Sequence, residues 1–119
     1  MLRGREQTMS WQRAEDVAVV LCTVPSAEVA ERIAKVVVGE GLAACVNIVS
    51  GVRSIYAWKG EICDDHELLL LAKTRPECGE ALGERIRANH PYENPEVIML
   101  PVTAGLGAYL DWVRVGTAS

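Results

Sequence analysis

The stretch Tyr56-Ala57-Trp58-Lys59-Gly60-Glu61-Ile62 decides how this chain folds. Lys59-Gly60 stands between two β-rich arms, and Gly60 supplies the positive φ that a two-residue hairpin turn requires. One arm runs back to Leu42 and the other on to Thr74. At about 3.3 Å per residue, an arm of roughly 15 residues extends about 50 Å. A compact chain of this length has a radius of gyration of only about 13.5 Å, so the hairpin is predicted to outrun the domain that carries it. Ser50-Gly51 marks a bulge in the first arm. Both arms place apolar side chains on both faces: Val52, Tyr56 and Trp58 on one parity, Ile55 and Ala57 on the other. A strand that is apolar on both sides needs two covers, and other copies of the same chain are the expected second cover.

Working outward, Val17 to Val24 is a short β-branched run that reads as a strand buried on both faces. Pro25 stops it. Ser26 is the expected N-cap of a helix whose apolar stripe is Val29, Ala30, Ile33, Ala34 and Val37, closed by Gly39 and Gly41. After the hairpin, Thr74-Arg75-Pro76-Glu77 carries a capping-box spacing and a proline in the first turn. Cys78, Ala81, Leu82, Arg85 and Ile86 form the next helical stripe, and His90-Pro91 ends it. Val97 to Val102 reads as a strand with Pro101 at its end or on an edge. Ala108 to Val115 is a short closing helix, and residues 1–16 read as a flexible, at most partly docked tail ahead of a single domain over 17–115. The predicted fold is α+β, a ferredoxin-like βαββαβ sandwich with a long protruding hairpin and a short C-terminal helix. That topology is expected to bring Cys22 and Thr23, Lys73 and Thr74, the loop His90 to Glu96 and both helix N-termini to one edge of the sheet.

Composition narrows the function. The net charge of -4, with no basic block, argues against nucleic acid. An RNA-binding sheet would need aromatic stacking residues where Val19, Leu21 and Leu69 stand. Apolar runs such as Leu68 to Ala72 are far short of the roughly 20 residues of a membrane span. Four cysteines without a C-x-x-C pair or a secretory segment point to free thiols in a reducing, cytoplasmic setting. No P-loop, nucleophile elbow, zinc-protease motif or dinucleotide fingerprint occurs, so no enzymatic activity is expected.

The polar, proline-pinned loop His90-Pro91-Tyr92-Glu93-Asn94-Pro95-Glu96 is the strongest site candidate, set against a plain rigid connector. Cys22 and His90 form a soft pair suited to copper or zinc, set against a buried thiol and a hydrogen-bonded imidazole. Cys45 is expected to approach from the same side. Lys73, Tyr92 and Glu96 are candidates for a ligand cleft, Lys73 as an anion contact. Tyr56 and Trp58 are candidate anchors of an interface between copies. His66, after Asp64-Asp65, reads as merely exposed.

Taken together, Val20-Leu21-Cys22-Thr23, Leu42 through Ile48, Ser54 through Ile62, His90 through Glu96 and Tyr109-Leu110-Asp111-Trp112 make the chain resemble the divalent-cation tolerance protein CutA family over nearly all of Val17 to Trp112. The resemblance implies a small ferredoxin-like subunit assembling as a homotrimer through its hairpins, linked to tolerance of copper and other heavy-metal ions. It also implies copper contacts at Cys22 and His90, with Asn89 standing where the family carries the first of two histidines. The competing expectation is a small-ligand sensor similar to the trimeric nitrogen-regulatory PII proteins, with Lys73, Tyr92 and Glu96 in a cleft completed by a neighbour.

Overall fold

The computed structural model describes residues 10–117. Its strands in chain order are β1 (Trp11–Arg13), β2 (Ala18–Val24), β3 (Cys45–Trp58), β4 (Glu61–Thr74), β5 (Ile98–Pro101) and β6 (Ala104–Leu106). Four of them form an antiparallel sheet in the order β3-β4-β2-β5. Two helices cover one face: α1, Ala27–Gly39, and α2, Gly79–Ala88, the latter entered through a 3-10 turn at Pro76–Cys78. Val20, Cys22, Val24, Leu70 and Ala72 from the sheet pack there against Val29, Ile33, Val37, Leu82 and Ile86. The fold is ferredoxin-like. Helix α1 starts where expected, with the Ser26 hydroxyl accepting the Val29 N–H at 3.2 Å.

The hairpin dominates the shape. Lys59 and Gly60 have φ of 51° and 82°, the pattern of a two-residue turn that matches strand twist. The register shifts between Val49 and Val52, where Gly51 takes φ 82°. This is the expected bulge. The molecule measures 58 × 24 × 22 Å with a radius of gyration of 16.0 Å, well above the roughly 13.5 Å of a compact chain this long. Ile55 and Ile62 on the protruding part are 66% and 82% exposed. Side chains alternate along a strand, so the sheet face opposite α1 and α2 presents Val19, Leu21, Leu69, Leu71 and Leu100, an apolar surface that neither of those two helices covers.

Three local expectations give way. Ser10 to Asp16 is not loose: β1 pairs antiparallel with β6 in a second small sheet. Arg114 of α3, Gly107–Gly116, ties down Asp16 at 2.8 and 3.0 Å. Residues 1–9 of the expected tail lie outside the described residues. Thr74 does not cap α2; it is fully buried, and its hydroxyl donates to the Leu42 carbonyl at 2.7 Å. Finally, β2 and β4 run antiparallel, with Val19 opposite Lys73 and Val24 opposite Leu68. The end of β4, with Lys73, Thr74, the start of α2 and Cys45, therefore lies at the sheet edge away from Cys22 and Thr23, not at the same one.

Candidate functional site

At the end of β2 the chain emerges beside the start of the hairpin's overhang, and the loop after α2 folds across it. A groove of about 740 Å³ opens there, walled by Tyr56 and Trp58 from β3, Glu67 from β4 and Tyr92, Glu93 and Glu96 from the loop, with Thr23 at its base. The expected loop is thus part of the site.

His90 holds the loop to the sheet. The residue is 9% exposed. The Tyr92 N–H donates to Nδ1 at 3.2 Å, so Nδ1 carries the lone pair and the proton sits on Nε2, which donates to the Thr23 carbonyl at 2.8 Å. The Tyr92 ring lies against the imidazole, centroids 4.6 Å apart, and its hydroxyl donates to Glu67 Oε2 at 2.7 Å. Glu67 is only 6% exposed. Burial and the bond to Glu67 push the Tyr92 phenol above its ordinary range. The Tyr56 phenol is pushed up as well, by its hydrogen bond to Asp65.

Cys22 lies beneath this edge, 1% exposed, its thiol donating to the Thr23 carbonyl at 3.6 Å. Burial pushes the thiol up to about 12, with the charges of Glu96 and Glu67 acting in the same direction. Both His90 nitrogens are spent on hydrogen bonds, and the Cys22 thiol holds its proton. Among the described residues no three His, Cys, Asp or Glu side chains gather as a metal ion would need. The structure therefore brings Cys22 and His90 to one edge without building a closed metal cage from them. Asn89 is occupied as the end of α2: its amide donates to the Arg85 carbonyl at 2.9 Å, and its own carbonyl accepts from Arg32 at 3.0 Å.

The remaining candidates separate. Tyr92 and Glu96 share the groove, whereas Lys73 is at the opposite edge, donating to Asn47. Within one chain the three do not form a cleft. Cys45 is also at that far edge, paired with Lys73 and beside Tyr109, whose phenol burial and Cys45 raise. All four cysteines are free, and His66 is exposed. Sequence reasoning missed Glu67. The signal it left was an acid directly preceding the buried run Leu68 to Ala72.

Comparison with known proteins follows the same outline. A model of the CutA1 divalent ion tolerance protein family matches residues 18–115. The chain belongs to that family. The divalent-cation tolerance protein CutA of Thermus thermophilus is 57% identical over 99 residues, covering 83% of this chain and 96% of that relative. The solved Thermus thermophilus CutA1 structure superposes with a TM-score of 0.84 at 55% identity, covering 86% of this chain and 99% of that one. Protein CutA, chloroplastic, of Arabidopsis thaliana is 48% identical over 99 residues, 83% of this chain, and the chain spans about half of that longer relative, 54%. No helix among the described residues is long and apolar enough to cross a membrane.

Proposed function

We propose that this CutA1-family chain serves tolerance of divalent cations as a non-catalytic homotrimer in the cytoplasm, meeting copper exchangeably at the edge where Cys22 and His90 lie. The observation that carries the assembly is the apolar face Val19, Leu21, Leu69, Leu71 and Leu100, continued along a hairpin that projects beyond its own subunit. Burying such a surface is the main favourable term in association. Tyr56 and Trp58 then rim the boundary toward the neighbouring copy. The four free thiols suit a reducing compartment.

The metal part rests on the family and on the His90 to Thr23 bond, which holds the two candidate ligands at one edge. Copper there has to displace a thiol proton and one of the imidazole's two hydrogen bonds, so binding releases protons and is weaker than in a prepared cage. Calorimetric titration with Cu(I) and Cu(II) tests it. Cys22→Ala and His90→Ala should each abolish the wild-type heat, and identical isotherms for all three proteins would end the assignment. The ligand-sensor reading expects Lys73 with Tyr92 and Glu96; within one chain Tyr92 and Glu96 share the groove and Lys73 lies at the opposite edge, so that cleft has to be completed by a neighbouring copy.

A further inference from the structure

One sheet face carries opposite charges at its two ends. Side chains alternate along β4, so Glu67, Leu69, Leu71 and Lys73 stand in one row on the face that α1 and α2 leave uncovered. Six residues separate the acid from the lysine, about 20 Å along the strand, too far for the two to meet within one chain. At the acidic end Glu67 and Glu96 wall the groove. Glu67 accepts from a neutral phenol, that of Tyr92, while Lys59 at the turn answers Glu93 at 4.0 Å. At the basic end Lys73 donates to the neutral amide of Asn47, with Val19 and Cys45 opposite it on the flanking strands. Each of the two charges is hydrogen-bonded, yet neither is ion-paired. Among the described residues Arg13, Arg32 and Lys73 are the basic side chains outside any ion pair. Arg13 belongs to the small second sheet, and Arg32 on α1 donates to the Asn89 carbonyl. Lys73 is the one that stands on the apolar face.

Building on the trimeric assembly, we propose that each Lys73 ammonium enters the groove of the next copy and pairs there with Glu67, so that three such ion pairs close the ring head to tail. A threefold ring joins unlike patches, because its rotation never presents a patch to itself. The uncovered face supplies two unlike ends, one acidic and one basic. Hydrophobic burial is non-directional, so Val19, Leu21, Leu69, Leu71 and Leu100 drive association without selecting a register. Complementary charges do select one, since a slipped or reversed contact sets like charges together. A second copy laid over the groove withdraws Glu67 further from water, and a cation from that same copy offsets the cost. The groove, about 740 Å³, has room for a lysine side chain. The sister chain is thereby its occupant.

Light scattering of the full chain across a dilution series, in a fixed urea concentration below the unfolding transition, reads the concentration at which half the trimer is lost. Lys73→Gln and Glu67→Gln should each raise that concentration about threefold or more. Together they should raise it no further, because the second change removes a group whose partner is already gone. The glutamine at 73 can still donate to Asn47 and the one at 67 can still accept from Tyr92, so far-UV circular dichroism should be unchanged in both. Lys73→Glu should dissociate the trimer, and adding Glu67→Lys to it should recover at least part of the wild-type mass. With a wild-type trimer in hand, three results overturn the ion pair and leave the assembly standing: single changes without effect, additive effects, or a charge swap no better than Lys73→Glu alone. Non-additivity of Lys73→Gln with Glu96→Gln in place of Glu67→Gln overturns Glu67 as the partner. A folded wild type of single-chain mass overturns the assembly and the ion pair together.

Discussion

Breaking the Tyr92 to Glu67 bond is the sharpest local perturbation the site offers. The bond is 2.7 Å long and ends on a carboxylate that is 6% exposed and has no cationic partner among the described residues. Hydrogen bonds to a charged group contribute about 1.5–3 kcal/mol, and the remaining partner bears the desolvation cost when the donor is removed. Tyr92→Phe is therefore expected to destabilise the fold by about 2 kcal/mol. Glu67→Gln keeps the shape and an acceptor and should cost about 1 kcal/mol or less. In the double variant the phenol and the charge are both gone, so the two losses should not add, and the coupling should be about 1 kcal/mol. Urea unfolding followed by far-UV circular dichroism measures all four proteins at one fixed concentration, because association makes stability concentration-dependent. Additive losses, with coupling below about 0.3 kcal/mol, would refute the bond as the link that holds the loop to the hairpin.

Three further expectations follow from the same geometry. The Tyr92 phenol titrates higher in the folded than in the unfolded state, so above pH about 10 the unfolded chain sheds that proton first. Its contribution is complete below that pH and is lost as pH rises through the folded value; Tyr92→Phe should flatten the alkaline fall in urea midpoint, and an unchanged slope would contradict this. Gly51 has φ 82° and open space where a Cβ would stand, so Gly51→Ala should cost about 1–2 kcal/mol through backbone alone. Gly39→Ala, at the end of α1 with equal space and no positive φ, should be neutral or stabilising in thermal melts. Ile33→Ala, removing a side chain only 1% exposed from between α1 and the sheet, should cost about 2–5 kcal/mol by the same urea assay.

The parts of the fold legible in the sequence are those set by local chemistry. Lys59-Gly60 admits one kind of turn, Gly51 admits a bulge, and Ser26 followed by Val29, Ala30, Ile33 and Val37 admits one helix start and one buried face. What escaped is set by partners distant in sequence. Trp11–Arg13 is too short to show a period and is a strand only because Ala104–Leu106 lies beside it. Thr74 has the spacing of a helix cap, yet the Leu42 carbonyl, 32 residues earlier, takes its hydroxyl. Lys73 stands away from the expected edge because strand direction, not strand adjacency, decides which ends meet. In the site, the loop is visible from its prolines and polar residues. The burial of Glu67 depends on Tyr92, 25 residues later, folding over it.

The mass of the purified protein in solution, by light scattering across a dilution series, tests the central claim that the overhanging hairpin is sheltered by sister copies. A particle three times the 12.9 kDa chain mass, persisting on dilution until the fold itself is lost, is the predicted result. A folded particle of single-chain mass would contradict it.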